Sequence, residues 1–426
     1  DIVDPSFFGA RTITSREVVY VGHGWRMPAN NIDPYRGLDV AGKIVLAHAN
    51  AMPPGMQGRP PAGSLPAARV ALELGALAVV LIPTEGMLGA WERLQRQPVR
   101  YRELEPAVPS AYAQRARVPT LTLHPRALEA LLEASGHTAA PLMTGAARGE
   151  FPTAFVVRRP VTLHLPAAVD QLRDGYNVVA KLEGSDPTLR GEYVTVFAHL
   201  DGAVGSAPAS GDTVWNAADD NATGSAGVLR IAEELARAGV PRPRRSIIFV
   251  WDSGEEVGLW GSRAFVGRPV VPLDRIVTHF NIDMIGGTRA PGTADSAATE
   301  LSGPGETWVI GPRGLSAELD SLIERVNRSY VNMRLDHTHD REGDQFLYPR
   351  TDAGPFLERG IPAVGFFTGM HARYHRPSDE AGYLDPVKME QVTRTVLASV
   401  WMVANLPERP RFTIPASVPR YGTMVP

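Results

Sequence analysis

Five short stretches of the 426-residue chain carry side chains suited to holding cations and moving protons. His199-Leu200-Asp201 directly follows the apolar run Tyr193–Ala198. On an extended backbone side chains two apart project to the same side, so Asp201 is placed to orient the His199 imidazole. Asn216-Ala217-Ala218-Asp219-Asp220-Asn221 precedes an amphipathic stretch. A helix N-cap accounts for one acid there, but adjacent Asp219 and Asp220 repel each other unless a cation or several donors compensate them. Gly254-Glu255-Glu256-Val257-Gly258 follows the apolar run Ser246–Trp251, where partial burial of two carboxylates is costly without a cation. Such neighbours can divide the work: one ligates a metal, the other takes a proton from water. Asn281-Ile282-Asp283-Met284 repeats the design with a single aspartate, and Tyr374-His375-Arg376-Pro377-Ser378-Asp379 sets an imidazole beside a phenol.

Several of these acids and imidazoles stand at the ends of apolar runs, and the carboxyl edge of an open α/β sheet is where such folds bind ligands. The pattern predicts strands at Val178–Leu182, Tyr193–Ala198, Ser246–Trp251 and Ile276–Ile282, with helices at Ala222–Ala238 and Ser316–Arg328. The expected fold of residues 156–406 is therefore α/β, a mixed twisted sheet flanked by helices on both faces. Residues 18–155 read as a smaller β-rich domain with its linker. Its expected strands are Val18–Val21, Gly42–Leu46, Ala76–Ile82 and Val118–Leu123, its helices Pro66–Leu74 and Leu128–Leu132, with a loop around Thr144–Gly149. Residues 1–17 are expected to be a lead-in belonging to the larger domain or to a trimmed region, and 407–426 an extended tail.

Composition narrows the chemistry. With 43 basic and 46 acidic residues, a net charge of -3 gives no electrostatic footprint for nucleic acid. The 0 cysteines exclude disulfides, thiolate zinc sites and a cysteine nucleophile. No apolar run is long enough to span a bilayer. Neither a G-x-S-x-G elbow nor a phosphate-cradling loop is present.

Taken together, the five stretches resemble the di-zinc peptidases of family M28. Gly22-His23-Gly24, Gly37-Leu38-Asp39-Val40-Ala41-Gly42-Lys43 and Gly75-Ala76-Leu77-Ala78 resemble the protease-associated domain found in one branch of that family. The resemblance implies two zinc ions bridged by Asp220, one completed by His199 and Asp283 and the other by Glu256 and His375. It implies Glu255 as general base, Asp201 as the partner orienting His199, and Tyr374 as a donor to the tetrahedral oxyanion. The expected activity is that of an aminopeptidase acting on peptide substrates through water held between the two ions, in a secreted or periplasmic setting. A carboxypeptidase or dipeptidase, a one-zinc aminoacyl cyclase and a catalytically silent binding module are the alternatives. Thr351-Asp352-Ala353 departs from the family's Ser-Asp-His or Ser-Asp-Asn, leaving Asp352 as an acceptor behind the ligands. His371 competes with His375, which motif position favours. Asp336–Asp344 reads as a polar loop, and His23, His48, His124, His137, His164 and His279 as structural or surface histidines.

Overall fold

The computed structural model describes residues 2–3, 11–56, 60–61, 63–92, 118–133, 135–165, 174–203, 211–293, 300–340 and 350–412. Among these, contacts group the residues up to Leu165 into one unit and those from Asp174 onward into another. The first unit therefore includes the described part of the expected lead-in and extends past the boundary expected at 155. Its strands are β1 (Ile2–Val3), β2 (Arg11–Ser15), β3 (Val18–Tyr20), β4 (Ile44–His48), β5 (Ala78–Ile82), β6 (Thr120–Leu123), β7 (Phe155–Val157) and β8 (Val161–Leu165). β3, β4, β5 and β6 run parallel at the centre of a sheet ordered β1-β6-β5-β4-β3-β7, and β2 pairs with β8. Buried Val18, Tyr20, Ile44 and Leu46 face one side of the sheet and Val19, Val45 and Val79 the other, the alternation that period-two geometry dictates. The segment expected as a loop near Thr144 is instead mostly the helix Ala139–Ala147, whose Ala139 and Leu142 are buried. Its small residues suit a helix that packs closely.

The second unit carries β9 (Val178–Leu182), β10 (Tyr193–His199), β11 (Ser246–Asp252), β12 (Ile276–Ile282), β13 (Glu306–Ile310), β14 (Arg334–Asp336) and β15 (Ala363–Phe367). They form a mixed sheet in the order β14-β13-β15-β12-β10-β11-β9. β15, β12, β10 and β11 are parallel, and β9 and β13 are antiparallel to their inner neighbours. The inner strands are continuous apolar runs because both faces are covered. Val194, Val196, Phe249 and Phe280 pack against the helices Gly224–Ala236, Ala317–Tyr330 and Pro386–Asn405 through Val228, Ile231, Ile323 and Val396. One residue out of phase, Phe197, Ile248 and Val250 pack against Phe265 of the helix Trp260–Gly267 and Phe356 of the helix Ala353–Glu358. Each such side chain contributes roughly 1.5–3 kcal/mol when fully buried.

Parallel strands end on one side, and register fixes what meets there. His199 stands level with Asp252, and Phe197 with Asn281, so His199 and Asp283 leave the sheet abreast. The expected helix over 222–238 begins later, at Gly224, because residues 218–223 make irregular turns.

Candidate metal centre

His199 ends β10 and is almost wholly buried. Its Nδ1 lies 3.0 Å from the Asp201 carbonyl oxygen, an N–H···O bond in the tautomer that leaves Nε2 as the ligand atom. That Nε2 lies 3.3 Å from Asp220 Oδ1 and 3.5 Å from Asp283 Oδ1. The expected orienting carboxylate of Asp201 is farther from the ring, at 3.7 Å. It accepts instead from the backbone amides of Glu255 at 3.2 Å and Glu256 at 3.3 Å. Asp201 thus steers His199 mainly through its carbonyl and fixes the acidic loop with its side chain.

The segment carrying Asp220 is held by buried bonds on every side. Asp379 accepts from the amides of Asp219 and Asp220, and the peptide between Asp220 and Asn221 is cis. Asn221 accepts from Gly224 and Met284 and donates to the Ile282 carbonyl. The two adjacent aspartates part company here. Asp219 is saturated, with Gly286 N at 2.7 Å, Thr223 Oγ1 at 3.1 Å and His371 Nε2 at 3.1 Å. His371 is thereby committed to Asp219. His375 Nε2 instead reaches Asp220 Oδ2 at 3.1 Å and Glu256 Oε2 at 3.0 Å. One Asp220 oxygen therefore faces His199 and Asp283, the other His375 and Glu256.

These carboxylates lack sufficient compensation. Glu256 Oε1 is buried without a hydrogen bond, and so is Asp283 Oδ1. Burial pushes Glu255 well above the usual carboxylate range; His199 opposes this, and the charges of Asp352, Asp283 and Glu256 reinforce it. Burial likewise raises Asp283 and Glu256. Burial alone would lower His375, but the Asp220 and Glu256 carboxylates raise it to about 9. Anions buried this way are stable only when protonated or paired with a cation. The ligand atoms of His199, Asp220 and Glu256 lie within 4.8 Å of one another, a span a metal ion can bridge. Nitrogen and oxygen donors without thiolate suit zinc.

Glu255, Asp220, Asp283 and Tyr374 line a pocket together with the apolar side chains of Met284, Ile310, Phe367 and Met370; Tyr374 and Met370 pack against the cluster of Met284, Ile310 and Phe367. The Tyr374 ring stacks on His375 with centroids 3.7 Å apart. Asp352 is fully buried and accepts from Ser262 Oγ at 2.6 Å. Sequence reasoning assigned nothing to Asp252, which is buried with neither oxygen hydrogen-bonded, and gave Asp379 no role; for the latter, the Tyr-His-x-Pro-x-Asp spacing was the available signal. Within the Asp336–Asp344 stretch, residues 341–344 lie outside the described residues. Of the rest, His337 faces Asp320, Glu324 and Asp340, and Asp340 accepts from the amides of Arg313 and Gly314. Among the described residues, only His199, Asp220 and Glu256 form a group of three or more whose ligand atoms converge tightly enough for a metal.

The sequence profile of peptidase family M28 matches residues 177–400, just over half of the chain and every residue of this cluster. The chain belongs to peptidase family M28. It is 29% identical over 197 residues to leupeptin-inactivating enzyme 1 of Streptomyces exfoliatus, covering 46% of this chain and 36% of that protein. It is 26% identical over 278 residues to leucine aminopeptidase 2 of Trichophyton equinum, covering 59% of this chain and 50% of that one. The M28 chain spans half or less of the length of these curated relatives. Among solved structures, it is similar to the aminopeptidase from Aneurinibacillus sp. strain AM-1, at 18% identity and a TM-score of 0.48, covering 99% of this chain and 80% of that one. The first unit lies outside the M28 match. Among the described residues no helix is long and apolar enough to cross a membrane.

Proposed function

We propose that this chain is a zinc-dependent aminopeptidase with two ions. His199 and Asp283 would hold one, His375 and Glu256 the other, and Asp220 would share its carboxylate between them. The observation that carries this reading is the division of the Asp220 oxygens, one toward each imidazole–carboxylate pair. When bound, zinc supplies Lewis-acid polarisation of the scissile carbonyl and makes water a better nucleophile. Glu255, buried among carboxylates yet lining the pocket, takes the proton of the attacking water and passes it to the leaving amine. Tyr374, on the pocket wall beside His375, donates its hydroxyl hydrogen to the developing oxyanion. Asp201 holds the amides of Glu255 and Glu256, which keeps the two acids facing different tasks.

The apolar wall of Met284, Ile310, Phe367 and Met370 suits an apolar N-terminal side chain such as leucine. The relatives named as leucine aminopeptidases support that preference. The first unit serves as a protease-associated module on this reading. The deciding experiment compares leucine p-nitroanilide with its N-acetylated twin, before and after chelation and zinc readdition. Zinc-restored cleavage of the free amine alone is expected. Equal cleavage of both would sink the aminopeptidase assignment, and cleavage that survives complete chelation would sink the metal mechanism.

A further inference from the structure

Lys388 lies in the first turn of the helix Pro386–Asn405 and is 1% exposed. A buried cation at a helix N-terminus opposes the helix dipole, so its placement needs a specific cause. Among the described residues no carboxylate pairs with it, and Asp385, Glu306 and Asp219 act on it only as more distant charges. Four uncharged oxygens surround Nζ: Gly287 O at 2.8 Å, Ser302 O at 3.0 Å, Ser302 Oγ at 2.7 Å and Gly303 O at 3.1 Å. An ammonium has three hydrogens for these acceptors, whereas a neutral amine has two.

The loop so gripped leads straight to the candidate centre. Successive amides of Met284, Ile285 and Gly286 donate to Asn221 Oδ1, Thr223 Oγ1 and Asp219 Oδ1, at 3.1, 3.1 and 2.7 Å. Those three acceptors bracket Asp220. The next carbonyl along, that of Gly287, belongs to Lys388. We propose that Lys388 is a positioning residue for the metal centre, a resident cation that locks residues 284–287 onto the segment presenting Asp220. It touches neither substrate nor ligand. Burial pushes its ammonium down to about 8, which leaves it charged at neutral pH. The inference rests on reading the His199–Asp220 cluster as the metal centre.

The test uses the full chain. Lys388→Met keeps the aliphatic stem and removes the charge. Its zinc affinity is expected to fall about tenfold, the lower end for residues behind a ligand shell, and the visible spectrum of the cobalt(II)-substituted protein to change. Lys388→Ala is the second variant, assayed with propylammonium, which replaces the lost atoms, and with 1-propanol, which lacks the charge. Zinc affinity restored by propylammonium and not by propanol, after subtracting the amine's effect on the unaltered protein, supports the proposal. Unaltered zinc affinity and cobalt spectrum in Lys388→Met would overturn it, as would equal rescue by both additives. If the unaltered protein itself binds no zinc, the proposed function fails separately. Amide exchange of residues 219–224 and 284–287 in metal-free protein then decides the lock. Faster exchange in Lys388→Met supports it, and unchanged exchange refutes it.

Discussion

Arg245 and Lys388 are both buried cations of the second unit, 1% exposed, yet they serve opposite ends of its sheet. At the amino-terminal end of the parallel strands, Arg245 donates to Glu192 at 2.7 Å and to the carbonyls of Val403 and Leu406, which close the helix Pro386–Asn405. Glu192 is also bonded by Arg409, and nearby Arg244 is paired with Asp186. Here cations meet carboxylates and helix-end carbonyls, the compensated state of buried charge. At the carboxyl-terminal end, Asp220, Glu255, Glu256 and Asp283 crowd together with buried oxygens left unbonded, and Lys388 satisfies carbonyls instead of acids. One sheet therefore has an end whose electrostatics are complete within the chain and an end whose electrostatics call for an added ion. The first end needs no added partner for its charges, whereas the second presents the candidate metal centre.

Substitutions can break this contrast. The largest effect is expected from Glu255→Gln, which should lower kcat by about a thousandfold while leaving the thermal midpoint of metal-free protein unchanged or higher, because a repelled carboxylate is removed. A melting scan beside the rate assay checks both halves. Next is zinc itself: at a thousand times its dissociation constant it should stabilise the second unit by about 4 kcal/mol, read as a rise in midpoint that a chelator reverses. Arg245→Met should cost about 3 kcal/mol by stranding its acceptors, without altering zinc affinity in a calorimetric titration. A loss of zinc binding in that variant would mean the two ends are coupled.

The smallest effect concerns acid. Burial alone would raise Glu192, but bonds from Arg245 and Arg409 hold it below its ordinary 4.5. A carboxyl depressed in the folded state contributes stability above that ordinary value and loses it as pH falls through the folded one. Glu192→Gln should therefore flatten the acid limb of unfolding below about pH 4.5, by less than about one pH unit in midpoint.

The carboxyl-terminal end was the more legible of the two from sequence. Apolar runs that stop at His199, at the Glu255 loop and at Asp283 announce both the strand and the polar group at its end, since one period-two pattern controls direction and side. The runs at 178–182 and 276–282 match β9 and β12 residue for residue. What stayed hidden depends on contacts with main-chain atoms or between distant segments. Lys388 binds carbonyls, which every residue possesses, so no pattern of types marks it. Asp219 and Asp220 are alike in sequence, and only His371 and Gly286 coming from elsewhere divide them into anchor and candidate ligand. The helix Ala139–Ala147 escaped because the Ala, Gly and Arg residues around Thr144–Gly149 read locally as loop.

The grip of Asp379 on the amides of Asp219 and Asp220 spans about 160 positions of chain. During synthesis the earlier segment emerges long before its clamp, and His375 arrives with that clamp. A nascent or prematurely terminated chain ending before residue 375 would thus lack both, and the candidate metal centre would stay incomplete until residues 375–379 had emerged.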